Sequence, residues 1–272
     1  MKRIVDWSGV IFIGSALGLL GANSANTQPL SDPISTEGCA DFSAAKERLS
    51  VALAVLKDWP QLHNYHSANA KLGAPAEGES RVVFLGDSIT DFWSEPAFGG
   101  FFPGKPYVNR GISGQTTAQM LVRFRADVID LRPKAVVILA GTNDLAGNTG
   151  PMTLTQTESN IMTMAELAGV HGIRVVLASV LPVNNYERNR DGEPIIQTDH
   201  RPILDILNLN AWIKSYAEQN GHIYLDYFSS MADNERMLKK EFSGDGLHPN
   251  AKGYLVMAPL ADRAVQEALR IR

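Results

Sequence analysis

With 272 residues, 44% of them hydrophobic and 20% charged, the chain is long enough to bury a substantial α/β core in one domain. Its formal net charge of −4 offers no basic surface to a phosphate backbone, which argues against nucleic acid and other anionic polymers as partners. The single cysteine, Cys39, excludes an intramolecular disulfide.

Residues 1–24 read as a secretory signal peptide. Lys2 and Arg3 precede an apolar run from Val10 to Leu20, and small residues follow at Gly21, Ala22, Ser24 and Ala25. The run is shorter than the roughly 20 residues that span a bilayer. The expectation is therefore a secreted or periplasmic protein without a stable membrane anchor after signal cleavage, an uncleaved anchor being the alternative. Cys39 lies too far from the run to be a lipid-attachment cysteine and reads as a small buried or incidental residue.

Residues 25–80 read as an N-terminal extension. Asn26 to Gly38 is polar, Asp41 can cap a helix from about Phe42 to Lys57, and Lys71 to Ser80 is linker-like. In residues 81–272 apolar runs then alternate with helical patterns. Val82 to Leu85, Tyr107 to Val108, Ala135 to Ala140, Val175 to Ser179 and Ile223 to Asp226 predict five buried strands. Helices are predicted at about Thr117 to Asp130, Thr155 to His171, Ile203 to Asn220 and Ala251 to Leu269, with Thr155 and Glu158 fitting a capping box. Strands rich in Val, Ile and Leu that alternate with helices predict a parallel sheet covered on both faces.

Ligands of such sheets gather outside the carboxyl ends of the strands. Residues rich in chemistry stand there: Ser88 after the first strand, Asn109 to Thr117 after the second, Gly141-Thr142-Asn143-Asp144 after the third, and Asp245 with His248 before the last helix. A serine hydroxyl is a poor nucleophile until a base takes its proton and a third group orients that base. Ser88, His248 and Asp245 supply these three groups.

Four blocks in this order resemble the SGNH, or GDSL-type, esterases and lipases: Gly86-Asp87-Ser88, Gly114 within Ser113-Gly114-Gln115, Gly141-Thr142-Asn143-Asp144, and Asp245-x-x-His248. The resemblance runs from Arg81 to the C-terminus, with Ile89 replacing the leucine of the family name. It implies a three-layer α/β/α sandwich on a five-stranded parallel sheet, flavodoxin-like in order. It also implies Ser88 as nucleophile, His248 as base, Asp245 as orienting carboxylate, and an oxyanion hole from Ser88, Gly114 and Asn143. A glycine lets the backbone approach the substrate and an amide donates without adding charge, so these residue types suit those roles. No cofactor and no metal is expected.

Other polar residues carry plainer readings. Asp87 and Asp144 next to turns are expected to bond backbone N–H groups. His63 and His66 lack a third and fourth ligand at metal-binding spacing. His171, His200 and His222 read as surface or loop histidines, with His200 placed to line a cleft. Phe92, Trp93, Phe98, Phe101 and Phe102 follow the nucleophile block and can contact substrate or cover the sheet end. Pro182 to Arg201 is long for a connection and reads as a lid, a glycan-contacting flap or a solvated loop. Candidate substrate-binding residues are thus Phe92, Trp93, Tyr186 and His200.

The functional expectation is a secreted serine esterase acting on short acyl esters, acetyl on carbohydrate in particular, with a small-molecule or glycan ester as partner. Alternatives are a lysophospholipase, arylesterase or thioesterase, and a noncatalytic glycan-binding module of the same fold. A nucleotide- or flavin-binding domain is disfavoured because no G-x-G-x-x-G or Walker pattern occurs. An α/β-hydrolase is disfavoured because Thr90 stands where the second glycine of G-x-S-x-G belongs.

Overall fold

The computed structural model describes residues 36–98 and 100–270, so the segment read as a signal peptide lies outside the described residues. The five apolar runs form strands β1 (Val82–Gly86), β2 (Tyr107–Gly111), β3 (Ala135–Leu139), β4 (Arg174–Ala178) and β5 (Ile223–Leu225). All pair in parallel, in the order β2-β1-β3-β4-β5. Gly86 at the end of β1 is level with Gly111 on one side and Leu139 on the other, so the segments leaving these three strands start from one rim.

The helices in chain order are α1 (Thr36–Lys57), α2 (His66–Leu72), α3 (Ser88–Asp91), α4 (Thr117–Asp127), α5 (Thr142–Leu145), α6 (Leu154–Val170), α7 (Ile203–Gln219), α8 (Phe228–Met231) and α9 (Ala251–Arg270). Side chains alternate across the sheet. Val83, Leu85, Val136, Ile138, Val175 and Leu177 pack with Met120 and Phe124 of α4, Ile161 and Met164 of α6, and Leu209 and Ile213 of α7. Val82, Phe84, Val137, Leu139 and Val176 pack with Tyr254, Met257, Ala261 and Val265 of α9. Both faces are therefore covered, giving three layers and explaining why the central strands β1 and β3 are continuously apolar rather than alternating.

Two helix caps differ from expectation. Helix α1, which belongs to a unit of its own ending at Lys57, begins at Thr36, so Asp41 lies inside it rather than capping it. The capping box of α6 is formed by Thr153 and Gln156, not Thr155 and Glu158. The same Thr-x-x-Glu/Gln spacing occurs twice, two residues apart, and the first pair closes reciprocally, with Gln156 N–H donating to Thr153 Oγ1 at 3.2 Å and Thr153 N–H to Gln156 Oε1 at 2.9 Å.

The second unit starts at Asp58, ahead of the boundary expected at residue 81. Residues 58–80 are tied to it by hydrogen bonds: Gln119 Nε2 donates to Trp59 O at 2.7 Å, Gln115 Nε2 to Pro60 O at 2.9 Å, and Asn69 Nδ2 to Asp127 Oδ1 at 2.7 Å. Lys71 and Leu72, expected in a linker, end α2. Beneath this segment the fully buried Arg123 bonds Asp127 Oδ2 at 3.0 Å and Gly86 O at 2.9 Å, bracing the end of β1 that carries the next segment.

Candidate active site

Strand β1 ends at Gly86 and the chain turns at once into α3, whose first residue is Ser88. The turn is held from two sides. Asp87 Oδ1 accepts the Ile89 N–H at 2.9 Å, and Tyr254 on α9 donates its hydroxyl to Ile89 O at 2.8 Å. Asp144 plays the corresponding part after β3, accepting the Thr117 N–H with both oxygens at 3.1 and 3.0 Å and so anchoring the start of α4. Both aspartates thus shape turns, as their positions suggested.

The residues 160 apart in sequence meet here. Ser88 Oγ and His248 Nε2 are 2.9 Å apart, and His248 Nδ1 lies 2.6 Å from Asp245 Oδ2. The other Asp245 oxygen accepts the N–H groups of Leu247 at 2.9 Å and His248 at 2.8 Å, and the Ser243 hydroxyl at 3.1 Å. Burial pushes the Asp245 carboxyl up, but the hydrogen bond and charge of His248 together with those two backbone donors outweigh it and hold the group well below the usual carboxylate range. Asp87 goes the other way. Complete burial pushes it up to about 6, against the Ile89 N–H bond and the charges of His248 and Arg201.

Gly114 sits in the loop after β2 with φ of +79°, a left-handed conformation that favours glycine. Asn143, buried after β3, has its amide orientation set by its neighbours. Asn148 Nδ2 donates to its Oδ1 at 3.0 Å and Arg201 Nη2 at 3.5 Å, while its own Nδ2 donates to Gln115 O at 3.0 Å. Asn148 Nδ2 also reaches Gly114 O at 3.1 Å. Among the described residues, the second Asn143 amide hydrogen and the backbone N–H groups of Ser88 and Gly114 have no protein acceptor. These are three uncharged donors on the loops leaving β1, β2 and β3.

The expected substrate-contacting residues divide. The Phe92 ring lies 5.1 Å from that of His248, at the site. Trp93 is a correction: it is 3% exposed and stacked on Tyr254 with ring centroids 5.0 Å apart, so it belongs to the core beneath α9 and has no surface to offer a substrate. Phe98, Phe101 and Phe102 pack in the same cluster. Tyr186 donates its hydroxyl to Asp233 Oδ2 at 2.7 Å. His200 is exposed at the end of a short turn, Gln197–Asp199. His63 pairs with Asp58.

Sequence reasoning missed Asn148, Gln197 and Arg201. The segment Pro182 to Arg201 is fastened to the rim rather than hung over it: Asn184 N–H donates to Gly246 O at 2.9 Å and Gln197 Nε2 to Asp245 O at 2.9 Å. The only sequence signal for this was its unusual length.

A serine, histidine and aspartate in hydrogen-bonded series stand here at the carboxyl edge of a parallel sheet beside uncharged donors, an arrangement with the groups that acyl transfer requires. Residues 84–256 match the GDSL-like lipase/acylhydrolase family, well over half of the chain, and the protein belongs to that family, whose membership implies ester hydrolysis. The chain is 41% identical to a candidate acylhydrolase from Bacteroides fragilis, covering 78% of this chain and 99% of that one with a TM-score of 0.71. It is 40% identical to a GDSL-like lipase from Bacteroides thetaiotaomicron, covering 78% of this chain and all of that one (100%), TM-score 0.69. A segment of 79 residues is 38% identical to an uncharacterized lipoprotein of Bacillus subtilis (strain 168), covering 28% of this chain and 32% of that relative, about a third of its length. Among the described residues no helix is long and apolar enough to cross a membrane.

Proposed function

We propose that this protein is an exported serine esterase that removes short acyl groups, acetyl in particular, from carbohydrate or similarly polar alcohols. The observation that carries the reading is the unbroken series Ser88 Oγ–His248 Nε2–Nδ1–Asp245 Oδ2, at 2.9 and 2.6 Å. Ser88 Oγ attacks the ester carbonyl while His248 Nε2 takes its proton, and Asp245 keeps the Nδ1–H in place and stabilises the imidazolium. The tetrahedral intermediate places its negative oxygen against the N–H groups of Ser88 and Gly114 and the remaining Asn143 amide hydrogen. Collapse expels the alcohol, which takes the proton from His248, and leaves an acyl ester on Ser88. Water, deprotonated by His248, then releases the carboxylic acid and returns the serine.

Substrate size and polarity follow from what surrounds the serine. Trp93 is buried in the core and the partly buried Phe98, Phe101 and Phe102 pack against the same cluster, which leaves Phe92 as the ring of this loop beside His248 and favours a short acyl group over a long one. The exposed Asn148 and half-buried Gln197 add polar surface on the side of Asn143 and Asp245, which suits a hydroxyl-bearing leaving group. The signal-like leader, and the lipoprotein name borne by the Bacillus relative, support export.

A chain-length series of p-nitrophenyl esters, run beside acetylated xylan and a lysophospholipid with Ser88→Ala as control, tests the reading. Turnover falling steeply beyond short acyl chains, deacetylation of the xylan, and loss of both with Ser88→Ala are expected. A preference for long chains defeats the short-acyl assignment. Activity that survives Ser88→Ala, or failure of a fluorophosphonate to label the serine, defeats the mechanism.

A further inference from the structure

Arg201 is an expensive residue to place where it stands. It is 6% exposed, and its three polar contacts are all neutral: Nε donates to Thr142 Oγ1 at 3.0 Å, Nη1 to Gln197 Oε1 at 3.2 Å and Nη2 to Asn143 Oδ1 at 3.5 Å. Among the described residues no carboxylate forms an ion pair with it; the charges of Asp87 and Asp245 act on it only from a distance. A buried cation without a paired anion costs stability, and an apolar side chain of similar length fills the same volume at lower cost. The position nevertheless joins two halves of the site. From Asp245 O, through Gln197 to Arg201 and on to Thr142 and Asn143, one hydrogen-bonded path links the loop bearing the aspartate and histidine to the loop bearing the asparagine.

The Asn143 amide is where this charge has an effect on chemistry. Its oxygen accepts from Arg201 and Asn148, and its nitrogen donates one hydrogen to Gln115 O, so the amide cannot flip and its second hydrogen is directed by exclusion. A cation at the amide oxygen also polarises the group and makes its N–H a stronger donor. We propose that Arg201 is a positioning residue for oxyanion stabilisation, fixing and polarising the Asn143 amide so that its free N–H meets the negative oxygen of the tetrahedral intermediate. The inference rests on the serine-esterase reading above. It makes the long β4–α7 connection a brace of the reaction site.

A double-mutant cycle with p-nitrophenyl acetate tests it. Arg201→Met is expected to lower kcat by about 10- to 100-fold, no more than the loss on removing one oxyanion donor outright, while KM changes by less than about threefold. In an Asn143→Ala background the same substitution is expected to cost less than about threefold more, because the group it acts through is already gone. Arg201→Lys is expected to recover part of kcat. A kcat for Arg201→Met within about twofold of the parent, or an equal fold-loss in both backgrounds, overturns the proposal. Should Arg201→Met not fold, Gln197→Leu, which frees the guanidinium on one side, is expected to show a smaller kcat loss with the same dependence on Asn143, and equal losses in both backgrounds again overturn it. Ser88→Ala separates the two levels: turnover surviving that change sinks the esterase reading itself, whereas an inactive Ser88→Ala beside an undiminished Arg201→Met sinks only the role of Arg201.

Discussion

Asp245 grips His248 at two points, its Oδ2 against the ring Nδ1 at 2.6 Å and its Oδ1 against the backbone N–H at 2.8 Å. One carboxylate therefore fixes both where the imidazole is attached and which way it faces. The three-residue spacing is what permits this, since a longer loop would leave the backbone contact to another group.

Asp245→Asn keeps the shape and removes the charge. An amide can still accept the backbone N–H groups, but it neither holds the ring in one tautomer nor stabilises an imidazolium. Ester turnover at neutral pH is expected to fall by about 10²- to 10⁴-fold with a nearly unchanged melting temperature. Steady-state kinetics beside a thermal melt check this, and a loss under tenfold contradicts the assigned role.

Asn143→Ala takes away a side-chain donor while leaving its neighbours Gln115 and Asn148 in place. A loss of about 10²- to 10³-fold in kcat with little change in KM is expected, because the donor acts on charge that exists only in the transition state. An unchanged kcat sinks the role.

Asp87 makes stability depend on pH. Its carboxyl titrates at 3.8 in the ordinary case and is pushed up to about 6 by burial in the fold. Between those values the native state holds a proton that the unfolded chain has released. The group's contribution to stability is therefore complete below about pH 4 and is lost as pH rises through 6. Asp87→Asn retains an acceptor for the Ile89 N–H and removes the titration. Urea unfolding is expected to show the variant gaining on the parent between pH 4 and 7, by at most on the order of 2–3 kcal/mol. A difference that stays flat over this interval contradicts the expectation.

Two glycines flank Asp245 and should answer differently to alanine. Gly246 has φ of +79°, and a Cβ there would lie 2.5 Å from Asn184 O, whereas at Gly244 nothing stands within 4 Å. Gly246→Ala is expected to cost about 1–3 kcal/mol and, by shifting the segment between Asp245 and His248, at least about tenfold in turnover. Gly244→Ala is expected to leave both nearly intact. Parallel melts and assays of the pair check it; indistinguishable variants would mean that the Asn184 contact does not hold the loop.

The sheet was legible because burial on both faces leaves the central strands β1 and β3 no polar positions, and runs such as Ala135 to Ala140 announce themselves. Helix α2 was not. It has no buried residue and stands on hydrogen bonds made by Asn69 to Asp127 and Ala126, partners more than fifty positions away that no local pattern encodes. The same division runs through the site. Ser88, Asn143, Asp245 and His248 lie in short segments next to strand or helix ends, so spacing exposes them. Asn148, Gln197 and Arg201 come from loops whose course is fixed by long-range contacts. Trp93 misled because an aromatic residue beside a nucleophile suits a cleft as well as a core, and only the placement of Tyr254 on α9 decides between them.

Helix α9 has a bearing on time as well as on space. Its Tyr254 hydroxyl secures the turn of Ser88 through Ile89 O, and His248 stands just ahead of its first residue, Ala251. A growing chain emerges with its serine early and its histidine late. The Ser88–His248 bond cannot exist until the closing stretch has been synthesised and has docked on the sheet, so completion of the fold and assembly of the site coincide in a single event.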